Sequence, residues 1–396
     1  MIAADPHQGG ATWAVLQYVL GLRRLGHDVF LIEPIRSESI RPAGAPLAAS
    51  TNAAYFHDVA HRFDLTDRAT LLRADTHEAI GLSYHGVLDA AVDADLLINI
   101  SGMLTDAALL ERVPRRVYLD LDPAFNQLWH AVEGIDVHLD GHTHFVTIGR
   151  HIGAADCPVP TCGRMWVPTW QPVVLPEWPA TAPLRDAAWT TVGNWRGYGA
   201  ITCGGVVYGQ KVHSFRRFFD LPQRTGESFQ PALSIHPDET RDLDALHDGG
   251  WTLVEAAAVA ATPDGYRRFI QQSKAEVGIA KSGYVVSRCG WFSDRSVCYL
   301  ASGRPVVAQD TGFARCLPTG DGLFAFSDIE DAVAAIDAVS GGYEHHCRTA
   351  RELAEAYFES DRVLNALLDS VGGPHETRRT SEPMAVDAAV GVADTA

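Results

Sequence analysis

The chain has 396 residues, too long for one ordinary domain and about right for two. Apolar residues make up 46% and charged residues 20%, a balance that specifies a folded chain rather than a disordered one. The net charge of −17 argues against a general grip on a nucleic acid polymer or an anionic membrane, but leaves room for a small phosphate site. No apolar run approaches the ~20 residues that cross a bilayer, so no transmembrane segment is expected. Seven scattered cysteines speak against a disulfide framework, and the expected location is the cytoplasm.

Taken in order, Met1-Ile2-Ala3-Ala4 reads as a short strand and residues 5–10 as a loop ending in Gly9-Gly10. Residues 11–25 carry Val15, Leu16, Val19, Leu20 and Leu22 at helical spacing and stop at Gly26. Val29-Phe30-Leu31-Ile32 then predicts a strand closed by Pro34, which completes a strand–helix–strand unit. Further strands are predicted over 96–100, 117–121 and 145–148. Prolines 158, 160, 168, 172, 176, 179 and 183 crowd the next stretch, which reads as a domain end plus linker.

A fresh strand is predicted at 189–193, with others at 232–235, 251–254, 275–280 and 304–308. Helices fit 263–272, 293–301, 329–339, 344–358 and 362–370. The expected domains are 1–178 and 179–372, and the aperiodic residues 373–396 read as a disordered tail. Alternating strands and helices in both halves predict parallel α/β sheets, with a ligand at the carboxyl ends of the strands.

The densest chemistry runs from Ser273 to Gly312. Gly290 precedes a helix whose first positions suit Ser293 and Asp294, so free amides there can hold a phosphate. Arg295 and Ser296 would add a charge-assisted bond and a hydroxyl. Trp291 and Phe292 lie beside them. A bland alternative is a well-capped helix with Arg295 in a structural ion pair.

The run Ser293 to Val307, ending Leu300-Ala301-Ser302-Gly303-Arg304-Pro305-Val306-Val307, resembles the donor half of GT-B glycosyltransferases. Gly9-Gly10 and Leu25-Gly26-His27-Asp28-Val29 resemble the opening of that fold. The resemblance covers about residues 1–370 and implies two facing Rossmann-like domains, the first for an acceptor and the second for a nucleotide-diphosphate sugar. It implies that Gly9 and Gly10 border the donor. It places Asn194, Trp195 and Arg196 near the diphosphate, with Arg196 or Lys211 to neutralise it. It also suggests Asp310, with Thr311 and Gly312, for sugar hydroxyls, against the alternative that Asp310 caps its own turn. Trp195 and Trp291 are candidate aromatic platforms. One departure stands out: the Glu pair of retaining members is replaced by Gly290 and Cys298.

A hydroxyl acceptor needs a base. Asp122, after the strand at 117–121, is the first candidate and His7 the second, ahead of Asp5 and Gln8. Asp120-Leu121-Asp122 matches a metal-binding Asp-x-Asp, but Asp93/Asp95 and Asp242/Asp244 repeat it, so no metal is expected. His138, His142, His144, His151, Cys157 and Cys162 lack zinc-ligand spacing. A nicotinamide site is disfavoured because the loop has only Gly9-Gly10, although Glu33 ends the second strand. The expectation is a metal-independent glycosyltransferase using a nucleotide-sugar donor and a small-molecule or glycan acceptor, with no resident cofactor. The alternatives are a nucleotide-sugar 2-epimerase and a non-catalytic nucleotide-sugar binding protein.

Overall fold

The computed structural model describes residues 1–372, so the expected tail over 373–396 lies outside the described residues. In the first half, strands Leu31–Ile35, Ala69–Arg73 and Ala79–Gly81 form one sheet. Strands Leu96–Ile100, Arg115–Asp120, His144–Thr147 and Trp166–Pro168 form a second, all parallel. In the second half, Leu323–Phe326, Val306–Gln309, Ala275–Gly278 and Trp189–Thr190 make a parallel four-stranded sheet. Val192–Asn194 pairs in parallel with Ala232–Ser234 beside it. Helices lie between the strands, and the central strands are buried apolar runs, as parallel sheets require.

The first helix, Gly9–Arg24, is set by its local sequence. Arg23 and Arg24 meet the negative end of its dipole, and Gly26 follows at φ +88°. It buries Trp13, Leu16 and Val19 and touches both halves. Trp13 Nε1 donates to Pro263 O at 2.8 Å. The last helix, Ser360–Ser370, crosses back to the first half, where Leu364 and Leu367 pack with Tyr18, Val117 and Val146.

Three predicted strands need correction. Residues 1–4 form no strand: the amides of Ile2, Ala3 and Ala4 donate to the Glu33 carboxylate at 2.7, 2.6 and 2.8 Å. The stretch 189–193 is split at Thr191 into two strands that join different sheets. Residues 251–254 are not a strand, though the Thr252 and Val254 amides donate to Phe229 O and Pro231 O, both at 3.0 Å. The Pro-rich stretch is more than a linker, because Trp166–Pro168 closes the second sheet as an edge strand, where proline is tolerated. Pro34 lies inside Leu31–Ile35 rather than ending it.

Gly9 and Gly10 are packed closely against the second half. A Cβ on Gly9 would sit 2.3 Å from Thr262 O, and one on Gly10 would sit 3.0 Å from the Tyr266 ring. Both glycines let the first helix approach the second half closely. Gly9→Ala is expected to cost about 1–3 kcal/mol, as overpacking against rigid backbone does. A urea melt with an unchanged midpoint would show that the helix backs away freely.

Among the described residues, no helix is long and apolar enough to cross a membrane.

Candidate functional site

The carboxyl ends of Ala275–Gly278 and Val306–Gln309 open onto a small pocket. Ile279, Trp291, Phe292, Ser293, Arg295 and Ser296 line it, together with Gln309. Its free volume is about 10 Å³, the space of one water. The helix Asp294–Ala301 starts here, and Ser293 caps it by accepting from the Arg295 amide at 3.2 Å.

Arg295 reaches inward across the strand ends. Its Nη1 donates to Val192 O at 2.8 Å, and its Nε meets Glu276 Oε1 at 2.5 Å. Glu276 is wholly buried, and its Oε2 has no hydrogen-bond partner. Lys211, at the start of the helix Lys211–Phe215, enters the same place and donates from Nζ to Ile279 O. The point where a Cβ of Gly193 would stand is 3.8 Å from Lys211 Nζ and 3.9 Å from Arg295 Nη1. So two buried basic side chains, Lys211 and Arg295, converge close to the Glu276 carboxylate. Burial, then the neighbouring Arg295, holds the Lys211 ammonium well below the usual lysine range. Burial opposes the Arg295 charge most strongly, but Glu276, Tyr266 and Asp294 together push that pKa up.

Lys211, Ser293, Arg295, Ser296, Trp291 and Phe292 are therefore brought together as expected, although Arg295 is already ion-paired. Trp291 stacks on Tyr284 at 4.2 Å. Other expectations fail. Trp195 is 1% exposed and donates to Asp242 Oδ2 at 2.9 Å, within the core of the second half. Arg196 is paired with Glu239. Ser273 precedes the strand Ala275–Gly278, at the end opposite the pocket, and bonds Thr190 Oγ1 at 2.6 Å. Asn194 ends its strand exposed to solvent. Asp310 Oδ1 accepts from the Gly312 amide at 2.9 Å, so it caps its own turn.

Gly290, Thr311 and Gly312 do meet, through Gly290 N and Thr311 O at 2.9 Å. His151 of the first half covers them: a Cβ on Gly290 or Gly312 would lie 3.2 or 3.0 Å from its ring. These residues seat the two halves against each other.

The first-half candidates differ in setting. Asp122 follows the strand Arg115–Asp120 and faces the second half. Its Oδ2 accepts from Tyr198 at 2.7 Å, its Oδ1 accepts from Tyr284, and Lys281 Nζ lies 3.4 Å from both oxygens. Burial and Asp122 push both tyrosine hydroxyls up, so they stay protonated donors. Asp122 is thus a clamp between the halves. Asp120 turns inward and accepts from Asn126, Gln127 and Thr147 at 2.7, 2.8 and 2.8 Å. The two carboxylates do not converge on a metal. Among the described residues, the one His/Cys/Asp/Glu group that could hold a metal ion is Asp321, His345 and His346, outside the pocket. His7 is exposed, at φ +64°, with its ring 4.8 Å from Tyr55.

Sequence reasoning missed Glu276, Tyr198, Lys281, Tyr284 and His151. Glu276 and Lys281 carried a signal, Glu276 as a carboxylate inside a buried strand and Lys281 as the residue that ends the apolar stretch after it.

No family model matches the chain, and no curated protein does. Solved structures do. HepE of Anabaena, in complex with UDP and glucose, aligns at TM-score 0.52 and 11% identity over 87% of this chain and 100% of that one. The same protein in complex with UDP-glucose aligns at TM-score 0.52 and 10% identity over 80% and 88%. With two α/β halves built on parallel strand pairs and meeting at their strand ends, the chain has the GT-B fold that these structures share.

Proposed function

We propose that the protein is a glycosyltransferase that moves a sugar from a nucleoside diphosphate to an acceptor hydroxyl. The observation that carries this reading is the convergence of Lys211 and Arg295 at Gly193, beside the single carboxylate of Glu276. A diphosphate bound there would favour the Lys211 ammonium, and Lys211 with Arg295 would then stabilise it as it leaves. HepE, which holds UDP, makes UDP-sugars the first donors to test.

In the step itself, the acceptor oxygen bonds to the anomeric carbon, the bond from that carbon to the phosphate oxygen breaks, and the nucleoside diphosphate departs. The acceptor proton passes to a base in the first half. His7 is our choice, because all the oxygens of Asp122 are engaged in the clamp. The pocket has room for no more than about one water, so the donor enters when the Asp122 clamp opens. Reclosure then excludes water from the activated sugar.

The test is a thermal-shift screen of nucleoside diphosphates and their sugars, without metal. A true donor at a hundred times its Kd adds about 2.7 kcal/mol of stability. No response to any of them would count against the reading. His7→Ala is expected to keep that shift and to lower transfer by about 10²–10⁴-fold. Unchanged turnover would remove His7 as the base.

A further inference from the structure

The first-half strands fall into two groups that do not pair with each other. Among the described residues, Leu31–Ile35 pairs only with Ala69–Arg73, and Leu96–Ile100 only with Arg115–Asp120. Between their unpaired edges lies a cavity of about 480 Å³, lined by residues 29–34 and 96–100. Helix residues Val15, Tyr18 and Val19 also face it.

The burial of these strands is wrong for a finished sheet. Leu96, Leu97, Ile98 and Ile100 are only half-buried, while Val117, Tyr118 and Leu119 on the adjoining strand are 0% exposed. Inner strands of a parallel sheet are apolar because both of their faces are covered. The Tyr18 hydroxyl, on the cavity wall, is buried with no hydrogen-bond partner.

The connection is incomplete as well. The helix Gly9–Arg24 leads into Leu31–Ile35, and such a crossover starts from a parallel strand in the same sheet. Residues 1–8 supply none. Instead Met1 lines the cavity, and the Ile2, Ala3 and Ala4 amides are held by Glu33. The polypeptide therefore reaches the first helix from the direction of the cavity. Strands stand ~4.8 Å apart and rise ~3.3 Å per residue. One strand of about five residues would match the flanking pair.

We infer that this cavity is an open strand position in the sheet, and that its occupant is an extended apolar segment running directly into Met1 in a longer form of the polypeptide. Pairing on both edges would join the two groups into one sheet, parallel except at its Ala79–Gly81 edge, and cover the half-buried leucines and isoleucines.

Three forms test this: the chain as it stands, the chain with a five-residue Ile/Val-rich extension before Met1, and one with a Gly/Ser extension of equal length. Hydrogen exchange at 31–35 and 96–100 is read alongside thermal melting. The apolar extension is expected to slow exchange at both segments at least tenfold and to raise the melting temperature, while the Gly/Ser extension does neither. If the unextended chain does not fold, rescue by the apolar extension alone supports the inference. Equal exchange with both extensions overturns it. So does protection in the unextended chain that depends on concentration, which would put a second copy in the slot, or protection lost on deleting 373–396. N-terminal sequencing of protein from its natural source adds a direct readout: apolar residues ahead of Met1 support the inference, and a start at Met1 overturns it.

Discussion

Lys211→Met is expected to lower sugar transfer by about 10²–10³-fold, the usual effect of removing one donor to a developing anion, without lowering the melting temperature. Lys211 is 7% exposed, and burial and Arg295 both oppose its charge. The folded-state pKa is lowered, so over the interval from that value up to the ordinary 10.5 the unfolded chain binds the extra proton. Stability therefore rises with pH across that interval, and below it the whole cost of the buried ammonium is present. Methionine removes that cost, so the variant gains most over the parent at low pH and nothing above the interval. A bound diphosphate reverses the preference by favouring the ammonium. Nucleotide binding should then take up a proton, and affinity should fall as pH rises through the folded pKa. Calorimetry in two buffers of different ionisation enthalpy reads the uptake. A buffer-independent enthalpy, together with unchanged transfer, would remove Lys211 from the site.

Arg295→Met should be the most destabilising single change at the pocket, at about 3–5 kcal/mol, because it leaves the Glu276 carboxylate buried and unpaired. The double change Arg295→Met with Glu276→Met should recover most of that loss, since an apolar pair often replaces a buried ion pair at little cost. It should not recover nucleotide binding. The two readouts separate Arg295 as an internal counter-ion from Arg295 as a phosphate ligand. A double variant that bound UDP as the parent does would leave it only the first role.

Elements with strong local signals were legible in the sequence. The helix Asp294–Ala301 announces itself with Ser293 at its cap, and Ile329–Gly341 with Asp328. The strand Val306–Gln309 stands out by its Val306-Val307 pair after Pro305, and Ala275–Gly278 as part of a short, mostly apolar stretch ahead of Lys281. The helix Thr51–Arg62 was overlooked although Ser50 caps it and Ala53, Phe56, Val59 and Ala60 recur at helical spacing, because its exposed face mixes His, Asp and Arg and no glycine or proline marks its end. Ser293, Arg295 and Ser296, which line the pocket, were legible because a helix start is a local feature. Trp195 was not legible as a core residue, because an aromatic side chain serves binding and packing alike and nothing local says which.

The order of apolar segments, glycine stops and caps was enough to dictate a two-part parallel α/β chain with chemistry at the strand ends, because those preferences act over a few residues. Which charges meet was decided only by folding. Lys211, Glu276 and Arg295 come from three separate stretches, and Asp122 reaches Tyr198, Lys281 and Tyr284 across the two halves. Such encounters depend on how helices and sheets pack, since Coulomb and hydrogen-bond energies act through distance in space and are indifferent to separation along the chain.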